Sequence, residues 1–400
     1  MIETCSYNDC CGCMACIDIC PKHAIKYSTN EHGVSVPVIK QEICVDCGLC
    51  KKVCPQIQHN MHDKPEACLA AYVKDSEKRA DSASGGIGRA IYEYFLTNKE
   101  AVVFGVELVD GVTPVYSHTC NINEIAKYQG SKYVQPNSCG LYANLAAVLQ
   151  AGKRALLISS PCVITAAYNY LQAKKISTEL FYTVDLLCHG VSPETYLHEE
   201  IEYLSNKYGW QSINSITFRS NKKFKNFHFV VAAITKKGKK VEYNRYSNED
   251  PYFSSFLDGT TLREGCYHCK FSRPERVADL TIGDFIGLGE SDKYPKVSFP
   301  TFNNSLVIVH TSKGHELLAG IQPNITCVSR SFEEALVKGT SLHEPFKKSM
   351  TRELFLKKYP ADGFIKSILA SNGNIIKIGS RKSRLKRPII QILIQLSSKS

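Results

Sequence analysis

From residue 101 onward the apolar positions switch repeatedly between strand-like and helix-like spacing. AVVFGVEL (101–108), RALLIS (154–159) and LFYTVDLL (180–187) are short, nearly continuous apolar runs of strand length. Between and after them, CGLYANLAAVLQAG (139–152), VITAAYNYLQAKK (163–175) and SPETYLHEEIEYLSNKY (192–208) carry helical spacing; the first stops at Gly152 and the last opens on Ser-Pro. Strand, helix, strand, helix with short loops predicts a parallel βαβ arrangement. A β-rich part follows. INSITFRS (213–220), FHFVVAAIT (227–235) and KVEYNRY (240–246) predict an antiparallel set with basic turns, and VADLTIGDF (277–285) and SLVIVHT (305–311) add strands. Near the N-terminus, AIKYS and GVSVPVI alternate around TNEHG and predict a hairpin, and QIQHNMHDKPE (56–66) is a polar linker.

With 400 residues the chain exceeds one typical core, and 44% hydrophobic content is enough to build more than one. The net charge of +11 favours anionic partners without choosing among them. Eighteen cysteines in a chain of this length do not suit a small disulfide scaffold. No basic-then-apolar leader and no apolar run of membrane length is visible, so a reducing cytoplasm is the expected setting, with thiols as metal ligands. The tail RKSRLKRPIIQILIQLSSKS is basic and then apolar; it suits peripheral membrane contact or a packing element with a solvated flank.

Cysteine spacing changes the picture most. Cys10, Cys13, Cys16 and Cys20 give C-x2-C-x2-C-x3-C-P, and Cys44, Cys47, Cys50 and Cys54 repeat it at an offset of 34 residues. This is the two-cluster ferredoxin run, in which the fourth cysteine of each string serves the other cluster. One 4Fe–4S cluster is therefore assigned to Cys10, Cys13, Cys16 and Cys54, and a second to Cys44, Cys47, Cys50 and Cys20. Two zinc knuckles are the competing assignment, but zinc sites commonly use separated C-x2-C pairs. Cys5 and Cys11 are off-register and are not expected to bind iron.

Two further features carry chemistry. DSASGGIGRAIYEYFL (81–96) joins glycines to a helix whose N-terminus suits a phosphate, although Ser-Gly-Gly also serves as a simple cap. Cys162 and Cys188 each follow a predicted neighbouring strand, at the edge where open α/β sheets bind ligands. With the C-x2-C pair Cys266 and Cys269 they make a candidate third 4Fe–4S site; buried apolar thiols, or zinc at the same four positions, are the alternatives. His189, next to Cys188, is expected to be a hydrogen-bonding loop residue.

The order SASGG, YQGSKYVQ, SPCVITA, LLCHGVSP, CYHCKF and ADLTIGDFIG, behind the double cysteine run, resembles the coenzyme F-420 hydrogenase/dehydrogenase beta-subunit family, from about Cys10 to Leu354. The resemblance implies FAD bound by Ser84, Gly85 and Gly86 and by Gly130, Ser131, Lys132 and Tyr133, with Lys132 near an anionic part of the cofactor. It implies that the PC, CHG and C-x2-C cysteines hold a core-domain cluster, with Thr281 to Phe285 close by. Where the family often has glutamine after PC, this chain has Val163. Fused two-cluster modules are typical of bacterial relatives, some similar to proteins of surface-polysaccharide synthesis.

The expected class is α+β: an N-terminal two-cluster ferredoxin-like module followed by an α/β core with a mixed sheet and an antiparallel β-rich part. The expected divisions are 1–62 for the two-cluster module, 66–150 for a flavin-contacting region, 151–360 for an α/β domain and 361–400 for the tail. Clusters move single electrons and flavin one or two, so the combination predicts an oxidoreductase passing electrons through the clusters and FAD to a hydride-accepting small molecule. A redox partner protein or reduced ferredoxin would supply them. The alternative is a non-catalytic electron-transfer subunit docked on a partner enzyme. NKKFKNFHF and KKGKK read as lysine-rich turns, and no nucleic acid is expected.

Overall fold

The computed structural model describes residues 5–58, 65–98, 100–219, 228–289, 304–337 and 340–397; in the last helix side chains are described to Ile376, except at 374 and 375. Parts of the linker 56–66 and of NKKFKNFHF lie outside the described residues.

One eight-stranded mixed sheet organises the molecule, in the order Ile325–Ser329, Ala67–Val73, Ser305–Val309, Leu280–Asp284, Phe181–Leu186, Arg154–Ser159, Ala101–Val109, Thr113–Thr119. The four strands from Leu280–Asp284 to Ala101–Val109 run parallel, and the outer pairings are antiparallel. Residues 66–150 and 151–360 thus contribute adjacent strands to one sheet. The parallel strands are buried on both faces, which is why they read as apolar runs rather than alternations.

Helices cover both faces. On one, Leu141–Gln150 and Pro161–Ala173 pack Leu145, Ala167 and Leu171 against Phe104, Leu157 and Phe181. On the other, Ile87–Phe95 and Ser312–Ile321 pack Ile91 and Leu317 against Val103, Leu156 and Val184. Each buried Leu, Ile, Val or Phe among them contributes on the order of 1.5–3 kcal/mol by leaving water.

The three-stranded antiparallel sheet, Lys240–Tyr246, His228–Thr235, Trp210–Thr217, stands apart from the main one. With Glu194–Tyr208 and Pro251–Leu257 it closes an aromatic core of Tyr196, Trp210, Phe229, Tyr252, Phe253 and Phe355. The expected tail segment joins this core. Helix Arg352–Ser397 breaks at Gly363, where φ is 68°, and then buries Phe364, Ile368 and Ile376. Gly363 supplies the left-handed turn that redirects the helix. Among the described residues, no helix is long and apolar enough to cross a membrane.

The N-terminal module lies against the first face of the sheet. Ala15, Ile19 and Val53 share a cluster with Leu141, Leu145 and Ala167. Its own hairpin, Ile25–Thr29 paired antiparallel with Ser35–Ile39, forms around the TNEHG turn as expected.

Candidate functional site

The two cysteine runs fold alike, residue for residue. Gly12 and Asp46, 34 positions apart, have φ of 72° and 55°; Met14 and Gly48 have 60° and 70°. Short helices, Ala15–Ile19 and Leu49–Lys52, begin at the next residue. Left-handed residues on either side of Cys13 and of Cys47 curl each loop, the kind of turn whose successive N–H groups make a concavity suited to an anionic cluster. Met14 and Asp46 accept a conformation that costs a side-chain-bearing residue about 1 kcal/mol or more. The Ala24 N–H donates to Cys20 Sγ at 3.3 Å.

The two runs differ in what surrounds them. Cys10, Cys13, Cys16 and Cys54 are buried, whereas Cys20, Cys44 and Cys50 are half-buried and Cys47 is exposed. The loop around Cys10–Cys13 is fastened to the main domain. Arg263 donates to the Cys10 carbonyl at 3.2 Å, Gln135 to that of Gly12 at 2.7 Å, and Tyr142 to that of Cys13 at 2.7 Å. Asp18 accepts from the N–H groups of Gly140 and Tyr142.

Cys162 sits at the start of helix Pro161–Ala173, directly after its strand, and Cys188 follows the neighbouring parallel strand. Cys266 and Cys269 come from the turn at Glu264–His268. All four line one cavity of about 60 Å³. A single water needs roughly 10–15 Å³ in such a space, so the cavity takes a group of several atoms. Among the described residues, no three Cys, His, Asp or Glu side chains converge tightly enough to hold one ion. Four thiols around a multi-atom space are a donor set that suits a cubane, as it would zinc. Burial pushes Cys188 up to about 11 and Cys266 up to about 12, so a thiolate there needs a positive group beside it.

Beneath Cys188, Arg276 pairs with Asp185 at 3.1 Å, both essentially without solvent contact. Arg276 also donates to the carbonyls of Phe271 and Leu186, one beside each end of the cysteine set. Sequence reasoning did not single out this clamp.

The off-register cysteines are not bystanders in space. The Cys5 thiol lies close to Cys10 and Cys54, and its hydrogen-bonding influence, with the nearby charge of Arg263, holds Cys10 at about 6 against burial. Cys11 lines the 60 Å³ cavity and touches both Cys13 and Cys162. Its sequence signal was only its adjacency to Cys10.

A larger cavity, about 480 Å³, opens on the other side of Cys188. Ser84, Gly86, Gly130, Ser131, Lys132 and Tyr133 line it, as do Ile282 to Phe285. Gly86, with φ of 87°, caps helix Ile87–Phe95, whose N-terminus borders the space. Gly85, between Ser84 and Gly86, lies against the sheet. It does not line the wall; a Cβ there would lie 2.5 Å from the Ala71 carbonyl oxygen and 2.8 Å from the Ser305 N, so its glycine serves sheet contact. Lys132 is tied back to its own loop, its Nζ donating to the carbonyls of Lys127 and Gln129, and burial pulls it down to about 7. The Tyr133 ring stacks on Phe253 and Phe256.

The two cavities share a wall: Tyr116, Ser160, Cys188 and His189 line both. The His189 ring packs against Phe256 and Phe346, and its Nε2 is buried without a hydrogen-bond partner among the described residues. Burial pulls its pKa down to about 4, so the imidazole is neutral near pH 7.

Comparison with known proteins bears on this arrangement. Residues 152–334 match the family described as the C terminus of the coenzyme F420 hydrogenase/dehydrogenase beta subunit, and residues 9–57 match the 4Fe-4S dicluster domain. The chain carries a C-terminal domain of that beta-subunit family behind a 4Fe–4S dicluster domain. All eight cysteines of the double run fall in the dicluster domain, and Cys162, Cys188, Cys266 and Cys269 fall in the beta-subunit domain. An uncharacterized protein of Methanocaldococcus jannaschii is 25% identical over 201 residues, 42% of this chain. The chain spans about half of that relative, 54% of its length. A chain of the xenon-derivatised F420-reducing NiFe hydrogenase complex of Methanosarcina barkeri superposes with a TM-score of 0.43 at 16% identity, over 76% of this chain and 91% of that one.

Proposed function

We propose that the protein is an iron–sulfur flavoprotein oxidoreductase that passes electrons between 4Fe–4S clusters and FAD and on to a hydride-accepting small molecule. What carries the proposal is the shared wall: Cys188 borders both the four-thiol cavity and the 480 Å³ cavity. A group held by Cys162, Cys188, Cys266 and Cys269 then adjoins a ring system in the larger space, whose volume is that of a cofactor pocket.

Flavin, when bound, supplies the conversion between single electrons and electron pairs. The chain's part is position and electrostatics. Cys10, Cys13, Cys16 and Cys54, with Cys44, Cys47, Cys50 and Cys20, hold the dicluster pair. The N-terminus of helix Ile87–Phe95, with Ser84 and Gly86, offers N–H groups and a positive dipole end to a phosphate. Arg89 reinforces this end while held by Glu93 and Gln129. His189 presents an acceptor nitrogen at the shared wall. Aromatic packing from Phe256 and Tyr133 keeps that side dry.

Anaerobic purification followed by iron, sulfide and flavin assay tests the reading. About twelve irons and one FAD per chain are expected, four irons per cubane. About eight irons, or no flavin, would remove the third cluster or the FAD from the proposal.

A further inference from the structure

The two ends of the dicluster domain face different surroundings, and this gives the electron path a direction. The Cys10, Cys13, Cys16 and Cys54 set is buried, and Arg263, Gln135 and Tyr142 fasten its loop to the main domain. The other set is open. A small cavity among Cys20, Cys44, Cys47 and Cys50 is lined, among the described residues, only by positions from Cys20 to Cys50. Nothing described in the main domain covers it. Beside it stand apolar side chains that a protein surface in water usually hides: Val45, which lines the cavity, is 57% exposed, and Ile43, next to Cys44, is 43% exposed.

Lysines are frequent along this stretch of chain. Between Cys20 and Cys54 lie Lys22, Lys26, Lys40, Lys51 and Lys52, all exposed, against Glu31, Glu42 and Asp46. Among the described residues none of the five lysines is ion-paired, so their charge is available to a partner. Lys22 lines the thiol cavity itself, and Lys51 and Lys52 sit on the short helix that carries Cys50.

We propose that this face is the docking site for a small acidic electron-carrier protein, an iron–sulfur carrier whose own redox centre lies near its surface. The inference rests on the dicluster reading and names the partner of its outer end. One electron leaves the reduced carrier and enters the outer cluster; the carrier is oxidised by one electron, the cluster is reduced by one, and no bond or proton moves. Val45 and Ile43 form the dry contact, and the lysines steer the encounter. Such contacts are small and transient, and their rates depend on charge and salt more than on buried area.

Stopped-flow reduction of the anaerobic holoprotein by a reduced, acidic two-cluster bacterial ferredoxin tests this, with dithionite as a reductant that needs no docking. The second-order rate with ferredoxin is expected to fall about tenfold or more between low and high salt. The double variant Lys51→Glu/Lys52→Glu is expected to slow it by a similar factor, and Val45→Glu severalfold. Both should keep wild-type iron content and wild-type reduction by dithionite. The pair Lys236→Glu/Lys237→Glu, on the distant exposed turn after His228–Thr235, carries the same change in net charge and should have little effect. Unchanged ferredoxin rates in the Lys51/Lys52 variant at full iron content would overturn the docking site, as would equal slowing by the distant pair. Wild-type protein that accepts no electrons from dithionite would instead overturn the cluster reading beneath it.

Discussion

The thiols of Cys11 and Cys162 meet where the dicluster domain touches the main sheet, one from each side of the contact. Contact with Cys11 and burial push the Cys162 thiol well up, while contact with Cys13 and Cys162 holds the Cys11 thiol well down. Two clusters, one bound through Cys13 and the other through Cys162, would require both as thiolates, so Cys11 would keep its proton and donate to one of them. Hydrogen bonds to cluster sulfurs raise the reduction potential. Cys11→Ala should therefore leave the iron content unchanged and move a cluster midpoint to more negative potential in an EPR-monitored titration, and Cys11→Ser should largely restore it. Loss of about four irons in both variants would make Cys11 a ligand and sink the prediction.

Arg276 and Asp185 form an ion pair beneath Cys188 with side chains 1% and 0% exposed. Removing one partner of such a pair typically costs about 3–5 kcal/mol because the other is left charged and dry. Arg276 also fixes the carbonyls of Leu186 and Phe271. Arg276→Met should lower the unfolding midpoint and, in material that still folds, selectively reduce iron by about four atoms, leaving the dicluster signals. Equal loss from all clusters would show general instability instead.

Gly12 combines a left-handed backbone with close contact. A Cβ there would run into the Gln135 side chain, which bonds the Gly12 carbonyl and accepts from Arg263. Gly12→Ala should therefore strain the loop and displace Gln135, at a cost of about 1–3 kcal/mol. Gly48→Ala, at a comparable φ but with open space around the Cβ, should cost less. Limited proteolysis and thermal unfolding of the two variants compare them directly; a Gly48→Ala effect as large as that of Gly12→Ala would contradict the steric argument.

Glu200 and Asp250 are buried near one another, and both Glu200 carboxyl oxygens lack hydrogen-bond partners among the described residues. Burial pushes Glu200 well up, with Asp250 adding to it, and burial brings Asp250 to about 6. Free carboxyls titrate near 4, so the folded state holds these protons more tightly than the unfolded one. The contribution is full below pH 4 and is lost as pH rises through about 6 and beyond. Glu200→Gln should flatten that decline and stabilise the protein at pH 8 by on the order of 1–3 kcal/mol, one pKa unit being about 1.4 kcal/mol. Urea unfolding at pH 5 and pH 8 measures it; an unaltered pH slope would refute it.

Much of the site was legible along the chain because its geometry is local. The double cysteine run fixes its own loops, since ligands two or three residues apart leave little freedom, and the matching φ values at Gly12/Asp46 and Met14/Gly48 express one spacing twice. Cys162 and Cys188 could be placed together because each follows a strand and neighbouring parallel strands end at one edge. The helix at 87–95 was visible from its apolar spacing, but not that Tyr92 would be buried on it, drawn in by its hydrogen bond to the Phe104 carbonyl. The sheet contact of Gly85 was not legible, because a sequence shows that a side chain is missing and not what fills its place.

The sequence by itself determined the dicluster loops, the alternation of strands and helices, and the four cysteines gathered at the sheet edge. Each depends on spacing within a short stretch or on the fixed direction of a parallel strand. Only the tertiary structure decided which end of the dicluster domain faces inward, that Cys11 reaches Cys162, that Arg276 anchors the turn behind Cys188, and that strands 67–73 and 101–109 join one sheet with later ones. Those contacts join residues dozens to hundreds of positions apart. They are set by how preformed surfaces fit and exclude water, which the local pattern of either surface does not encode.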